Sequence, residues 1–335
     1  MKELTSGKFT GLQKLSNDKG ILCMCAMDHR RSLRKMLCND DPSTVSYQTL
    51  VDFKIDLCRE LAPYASAVML DPVYGATQAI AMRIIPNDTG LIVTLEGEDY
   101  DVPGDNAEFA EVIQDWDVSK AKGIGASAVK VPFLYRPDMP NIAFNQLKSV
   151  SRFAFECTEA DMTLVLGPRS YRVRELERDH PRFAQKKPEL ITETVYQLSA
   201  LPIDLLKIEF PVETISTTSE QQLLDICIQV NEASLVPWVL LSAGNDFEVF
   251  IHQLEIACKA GASGFLAGRS VWQEATIAHS REERIEFLQT SGVERLQQAI
   301  MIANTYADPW QHKFETSIDH SHQSITRTLY QESQV

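Results

Sequence analysis

The sequence predicts an α/β protein with one (β/α)8 barrel of the TIM type, in a single domain. Three observations predict it. Eight short apolar runs recur along the 335 residues, most nearly continuous in Val, Ile, Leu, Met or Ala, as in parallel strands covered on both faces. Segments with helical period lie between the runs. The place after the first run holds Asp28-His29-Arg30-Arg31, whereas a doubly wound sheet, the runner-up fold, would carry a Gly-rich dinucleotide turn there.

The elements follow in order. A first strand at 21–28 ends on Asp28, His29 and Arg30. A helix at 44–61 starts after Ser43, a good capping residue. The second strand, 66–71, ends on Asp71, and the third, 90–96, ends on Glu96 before an irregular stretch at 97–105. A helix at 107–122 stops near Gly123 and Gly125, the residue type that favours termination. The fourth strand, 126–135, carries Lys130, and a helix follows at 145–158. The fifth strand, 163–168, leads through Gly167 into an arginine-rich stretch with Arg169, Arg172, Arg174, Arg178 and Arg182. A helix at 188–201 precedes the sixth strand, 205–211, which carries Lys207 and Glu209. Helices at 219–231 and 246–259 start after Thr218 and Asn245, and the second stops at Gly261. They flank a seventh strand at 238–243, and an eighth follows at 264–269. The barrel is expected to span 1–313. Residues 314–335, with Asp319-His-Ser-His322, are polar and are expected to be a mobile tail or an oligomer contact.

Composition narrows the function. A net charge of −14 disfavours nucleic acid and anionic membranes as main partners, while a few local cations still suffice for an anionic substrate. No apolar run reaches the roughly 20 residues of a membrane helix, and the start has no signal-peptide core. Seven scattered cysteines fit a reduced, cytoplasmic protein, with Cys23 and Cys25 as core residues of the first strand. Of seven histidines only His29 falls at a strand end, too few for a histidine-ligated zinc site. The expectation is therefore no metal and no cofactor. A carboxylate-only magnesium site from Asp28, Asp71 and Glu96 is the weaker alternative.

In such barrels the site gathers at the C-terminal ends of the strands. Lys207 and Glu209, two apart on one strand, share a face. A buried amine there is either half of an ion pair or a nucleophile that forms a Schiff base with a carbonyl. Lys130 on the fourth strand is a second amine, and two nearby ammonium groups discourage each other's charge. Asp28 and Glu209 are candidate counter-charges or proton carriers. After strands seven and eight, Ser242, Gly244, Gly268 and Arg269 combine small residues, following helices and a cation, which suits a phosphate. His29 and Arg30 join them as candidate substrate-binding residues.

Taken together, segments 26–30, 61–72, 128–130, 206–212, 237–244, 261–272 and 308–310 resemble, in order, the class I Schiff-base aldolases of the tagatose 1,6-bisphosphate aldolase family. They are similar also to relatives that cleave 6-deoxy-6-sulfofructose 1-phosphate. The resemblance implies that Lys207 is the Schiff-base lysine, that Lys130 is a second active-site lysine, and that Ser242, Gly244, Gly268 and Arg269 hold a substrate phosphate. It implies reversible cleavage of a ketose phosphate to dihydroxyacetone phosphate and an aldehyde, in a homo-oligomer (dimer or tetramer). One departure stands out. Where the family usually has a glutamate on strand five, thought to move protons, this chain has Gly167, which leaves Glu209, Asp28, Tyr135 or Tyr171 to take the role in space. It also sustains an alternative function, a regulatory barrel that binds a sugar phosphate without turning it over.

Overall fold

The computed structural model describes residues 3–95, 113, 115–172, 180–213 and 218–314. Eight parallel strands among them close in chain order: β1 Leu22–Ala26, β2 Ala67–Leu70, β3 Gly90–Thr94, β4 Ala128–Leu134, β5 Thr163–Arg169, β6 Leu205–Ile208, β7 Trp238–Leu241 and β8 Gly264–Ala267. Closure pairs Leu22 with Gly264 and Cys25 with Ala267. Gly264 is needed there. Its φ is +130°, and a Cβ would lie 2.2 Å from the Leu22 carbonyl oxygen.

The strand period of two sorts side chains into two layers. Leu22, Met24, Met69, Ile92, Val165, Leu205, Val239 and Leu266 fill the barrel interior. Cys23, Cys25, Val68, Val93, Leu164, Leu206, Ile208 and Phe265 pack outward under the helices. Burial pushes the Cys23 and Cys25 thiols up to about 12, so both behave as apolar core residues.

A helix the sequence did not single out, Ser6–Leu15, plugs the N-terminal end of the barrel. Its Leu12 and Leu15 meet Trp310 and Phe314, with Trp310 edge-on to Phe9 at 5.4 Å and to Phe314 at 6.0 Å. Phe314 thus belongs to the plug rather than to a tail, and residues 315–335 lie outside those described. A second unanticipated helix, Val293–Tyr306, packs across the outer layer.

Several boundaries shift, for local reasons. The first long helix is Tyr47–Leu61, and its cap is Ser46, not Ser43, which sits in the short turn Pro42–Thr44. Ser219 rather than Thr218 opens Glu220–Ala233, through a reciprocal pair of hydrogen bonds with Gln222. Asp246 rather than Asn245 precedes Phe247–Lys259. Two helices are longer than foreseen, Pro140–Glu159 and His180–Ser199, the latter with Pro188 inside. Of the helix foreseen at 107–122, Val118–Gly123 is present, and 107–112 lie outside the described residues, as do Glu96 and 97–105. No helix among the described residues is long and apolar enough to cross a membrane.

Asp71 has a structural task. Lys54 and Asp71 are both fully buried and form a close ion pair. Lys54 also donates to the Met27 carbonyl at 3.0 Å. The other Asp71 oxygen accepts the Val73 and Tyr74 amides at 3.0 and 2.8 Å, which caps the turn after β2. The pair ties the helix Tyr47–Leu61 to the exits of β1 and β2. Asp71→Ala strands a buried ammonium and is expected to lower the unfolding free energy by about 3–5 kcal/mol. Urea denaturation measures this. Replacing both partners with apolar residues should recover most of the loss.

Candidate active site

A cavity of about 240 Å³ opens at the C-terminal mouth of the barrel. Lys207 enters it from β6 because Leu206 and Ile208, its neighbours, are taken by the outer layer. Lys130 enters from β4. The Lys130 Nζ donates to Asp28 Oδ2 at 3.0 Å, and this pair is buried. Burial by itself would raise the Asp28 carboxyl, but Lys130, His29 and Lys207 outweigh it and hold the group well below the usual carboxylate range. Asp28 is therefore an anion across neutral pH. The His29 ring lies beside it, Nδ1 at 3.7 Å from Oδ1, and packs edge-on against Trp272 at 5.1 Å.

The loops after β7 and β8 form the next wall. Ala243 and Gly244 are consecutive left-handed residues, φ +55° and +82°. For Ala243 that conformation costs on the order of 1 kcal/mol, and such strain gathers at functional sites. The turn wraps Arg269, whose Nη2 donates to the Ala243 carbonyl at 3.1 Å. A Cβ on Gly244 would sit 3.0 Å from the guanidinium carbon, so a glycine is required there on both counts. The Ser242 hydroxyl accepts the Gly268 amide at 3.4 Å. The helix after β8 is only Arg269–Trp272, so the dipole foreseen there is small. The longer helix Phe247–Lys259 follows β7.

Asp28, His29, Lys130, Lys207, Ser242, Gly244, Gly268 and Arg269 thus border one cavity. Two foreseen residues do not. Arg30 is 1% exposed, and it precedes the helix Arg31–Leu37 without reaching the cavity. Glu209 lies one residue beyond β6, where its carboxylate turns to the neighbouring loop and helix instead of the cavity. It accepts the Ser170 amide and hydroxyl at 2.8 and 2.7 Å and pairs with Lys187 at 2.9 Å. Burial pushes its carboxyl up, but Lys187, Arg169 and Ser170 more than offset this and lower it. Lys187 belongs to the helix His180–Ser199, a partner no strand pattern could reveal.

Gly167 faces Lys130. A Cβ there would lie 3.7 Å from Lys130 Cε, an ordinary contact, and the residue lines the cavity. Neither tyrosine fills it. Tyr135 bonds Gln197, and Tyr171 packs against Arg136. Asp71 is turned away onto Lys54. Arg169, not singled out as a site residue, does line the cavity. Its signal was available, because Val165, Gly167 and Arg169 share one strand parity. Elsewhere in the arginine-rich stretch, Arg172 pairs with Glu213 at 3.1 Å, and Arg174 and Arg178 lie outside the described residues. A wider hollow of about 1170 Å³ lies at the other end of the barrel, beside Lys14, Arg83 and Lys122, far from these charges.

The profile of the DeoC/LacD family aldolases matches residues 22–274. A tagatose 1,6-diphosphate aldolase of Listeria innocua is 30% identical, over 94% of this chain and 96% of its own length. Tagatose 1,6-diphosphate aldolase 2 of Enterococcus faecalis is 29% identical, over 95% and 99%. Among solved structures, a Plasmodium falciparum fructose-bisphosphate aldolase superposes with a TM-score of 0.68 at 13% identity, covering 92% of this chain and 98% of its own. A Schiff-base-forming fructose-1,6-bisphosphate aldolase gives 0.56 at 18% identity, over 89% and 98%. At such identities the superpositions speak for the fold alone.

Asp28→Asn tests the electrostatics. A carboxyl lowered by folding stabilises the protein above its unfolded value, and that stability is lost as pH falls through the folded value. The variant is expected to be less stable at neutral pH and to lose less stability between about pH 5 and pH 2. Urea midpoints across that range measure both.

Proposed function

This chain belongs to the DeoC/LacD aldolase family, and from that premise we propose that it is a metal-independent class I aldolase acting on a ketose (bis)phosphate such as tagatose 1,6-bisphosphate. The observation that carries the proposal is the inward Lys207 amine at the end of β6, in one cavity with the Lys130–Asp28 pair. Lys130 is bonded to Asp28, and two amines entering one cavity discourage each other's charge, which favours a neutral nucleophile.

Lys207 attacks the ketone carbon, and loss of water leaves an iminium. The C3–C4 bond then breaks and its electron pair flows into the iminium, giving an enamine and an aldehyde. Hydrolysis releases dihydroxyacetone phosphate and the free lysine. Arg269, Ser242 and the backbone of Gly244 and Gly268 hold the phosphate next to the reacting carbons. The names of the bacterial relatives support tagatose 1,6-bisphosphate as the first substrate to try. The proposal includes a cytoplasmic homo-oligomer, checked by light scattering on the purified protein.

Incubation with dihydroxyacetone phosphate, borohydride reduction and peptide mass spectrometry should place an adduct on Lys207 and none on Lys207→Ala. An unmodified Lys207 would favour the second reading, the non-catalytic sugar-phosphate barrel that Gly167 suggests. Arg269→Met is expected to weaken binding of inorganic phosphate about 10–100-fold by calorimetry, the worth of a hydrogen bond to a charged group.

A further inference from the structure

Aldol cleavage needs a group that accepts the hydroxyl proton of the carbon losing its bond and delivers a proton to C3 of the enamine. The cavity can be searched for it residue by residue. Lys207 is consumed as the covalent partner. Lys130 is held on Asp28 at 3.0 Å, and Asp28, facing Lys130, His29 and Lys207, stays a carboxylate. Arg169 and Arg269 do not release protons at working pH. Gly167 has no side chain beside Lys130, and Glu209 is turned away onto Ser170 and Lys187. Among the described residues lining the cavity, His29 is the one that belongs to a type titrating near neutrality, ordinarily at about 6.5.

Its geometry suits the task. The two Asp28 oxygens are divided, Oδ2 to Lys130 and Oδ1 toward His29 Nδ1. At 3.7 Å the approach is electrostatic rather than a hydrogen bond, and a carboxylate this near stabilises a protonated imidazole. Trp272 packs against the ring, and a Cβ on Gly268 would lie 2.9 Å from its Cε1. The ring is thus set between the first strand end and the wall assigned to the phosphate.

We propose that the His29 imidazole, set by Trp272 and Gly268 beside the Asp28 carboxylate, is the proton carrier of this site. The neutral ring takes the C4 hydroxyl proton as the C3–C4 electron pair moves into the iminium and the C4 oxygen becomes the aldehyde. The imidazolium then returns that proton to C3, the enamine electrons form the new C–H bond, and the iminium is regenerated for hydrolysis.

The inference rests on the aldolase reading, and two readouts separate them. Wild type and His29→Gln are incubated with dihydroxyacetone phosphate in deuterium oxide. NMR follows exchange of the C3 proton, and borohydride traps the Lys207 adduct in parallel. His29→Gln should keep the adduct while exchange and cleavage fall about 10²–10⁴-fold, the usual worth of general acid–base catalysis. Gly167→Glu added to His29→Gln, which sets a carboxylate at the cavity wall beside Lys130, should restore part of the exchange. Exchange in His29→Gln within about threefold of wild type would overturn the proposal, as would loss of the adduct together with the exchange, since the ring would then only shape the site. A wild-type enzyme with no adduct would refute the aldolase reading itself.

Discussion

A closed barrel of parallel strands leaves each inward side chain one place to go, the shared interior. Because successive residues alternate between faces, the interior of this protein is decided once the strand register is set. Leu22, Met24, Ile92, Val165, Leu205 and Val239 fill its depth, and the plug of Leu12, Leu15, Trp310 and Phe314 shuts the lower end. Charge is tolerable only in the top layer, where Lys130 and Lys207 reach the mouth. The packed interior positions the site.

Asp28 sets the electrostatics of that mouth. It is a buried anion facing two lysines and a histidine, and it accepts a hydrogen bond from Lys130. Lys130 is thereby held on Asp28, and the Lys207 amine enters the same cavity. The same side chain reaches toward His29. A single carboxylate thus lies among Lys207, Lys130 and His29.

Much of this was legible in the chain. Eight apolar runs specify eight strands because parallel strands covered on both faces must be apolar nearly throughout. Lys130, Lys207 and Gly167 could be placed on their strands from parity alone, and Arg169 could have been added by the same count. Glu209 also has inward parity. It leaves the cavity because β6 ends at Ile208 and Lys187, from a helix distant in sequence, offers a better partner. Asp71 looked like a site carboxylate at a strand end, until Lys54, itself on a helix, claimed it.

The sequence by itself determined the barrel, the order of its strands and which amines face inward, because these follow from local periodicity. It could not determine which charges pair. Pairing depends on distances between elements far apart along the chain, such as 28 to 130, 54 to 71 and 187 to 209, and only closure of the barrel brings them together. That step separated the carboxylate that serves the cavity, Asp28, from those that hold the scaffold, Asp71 and Glu209.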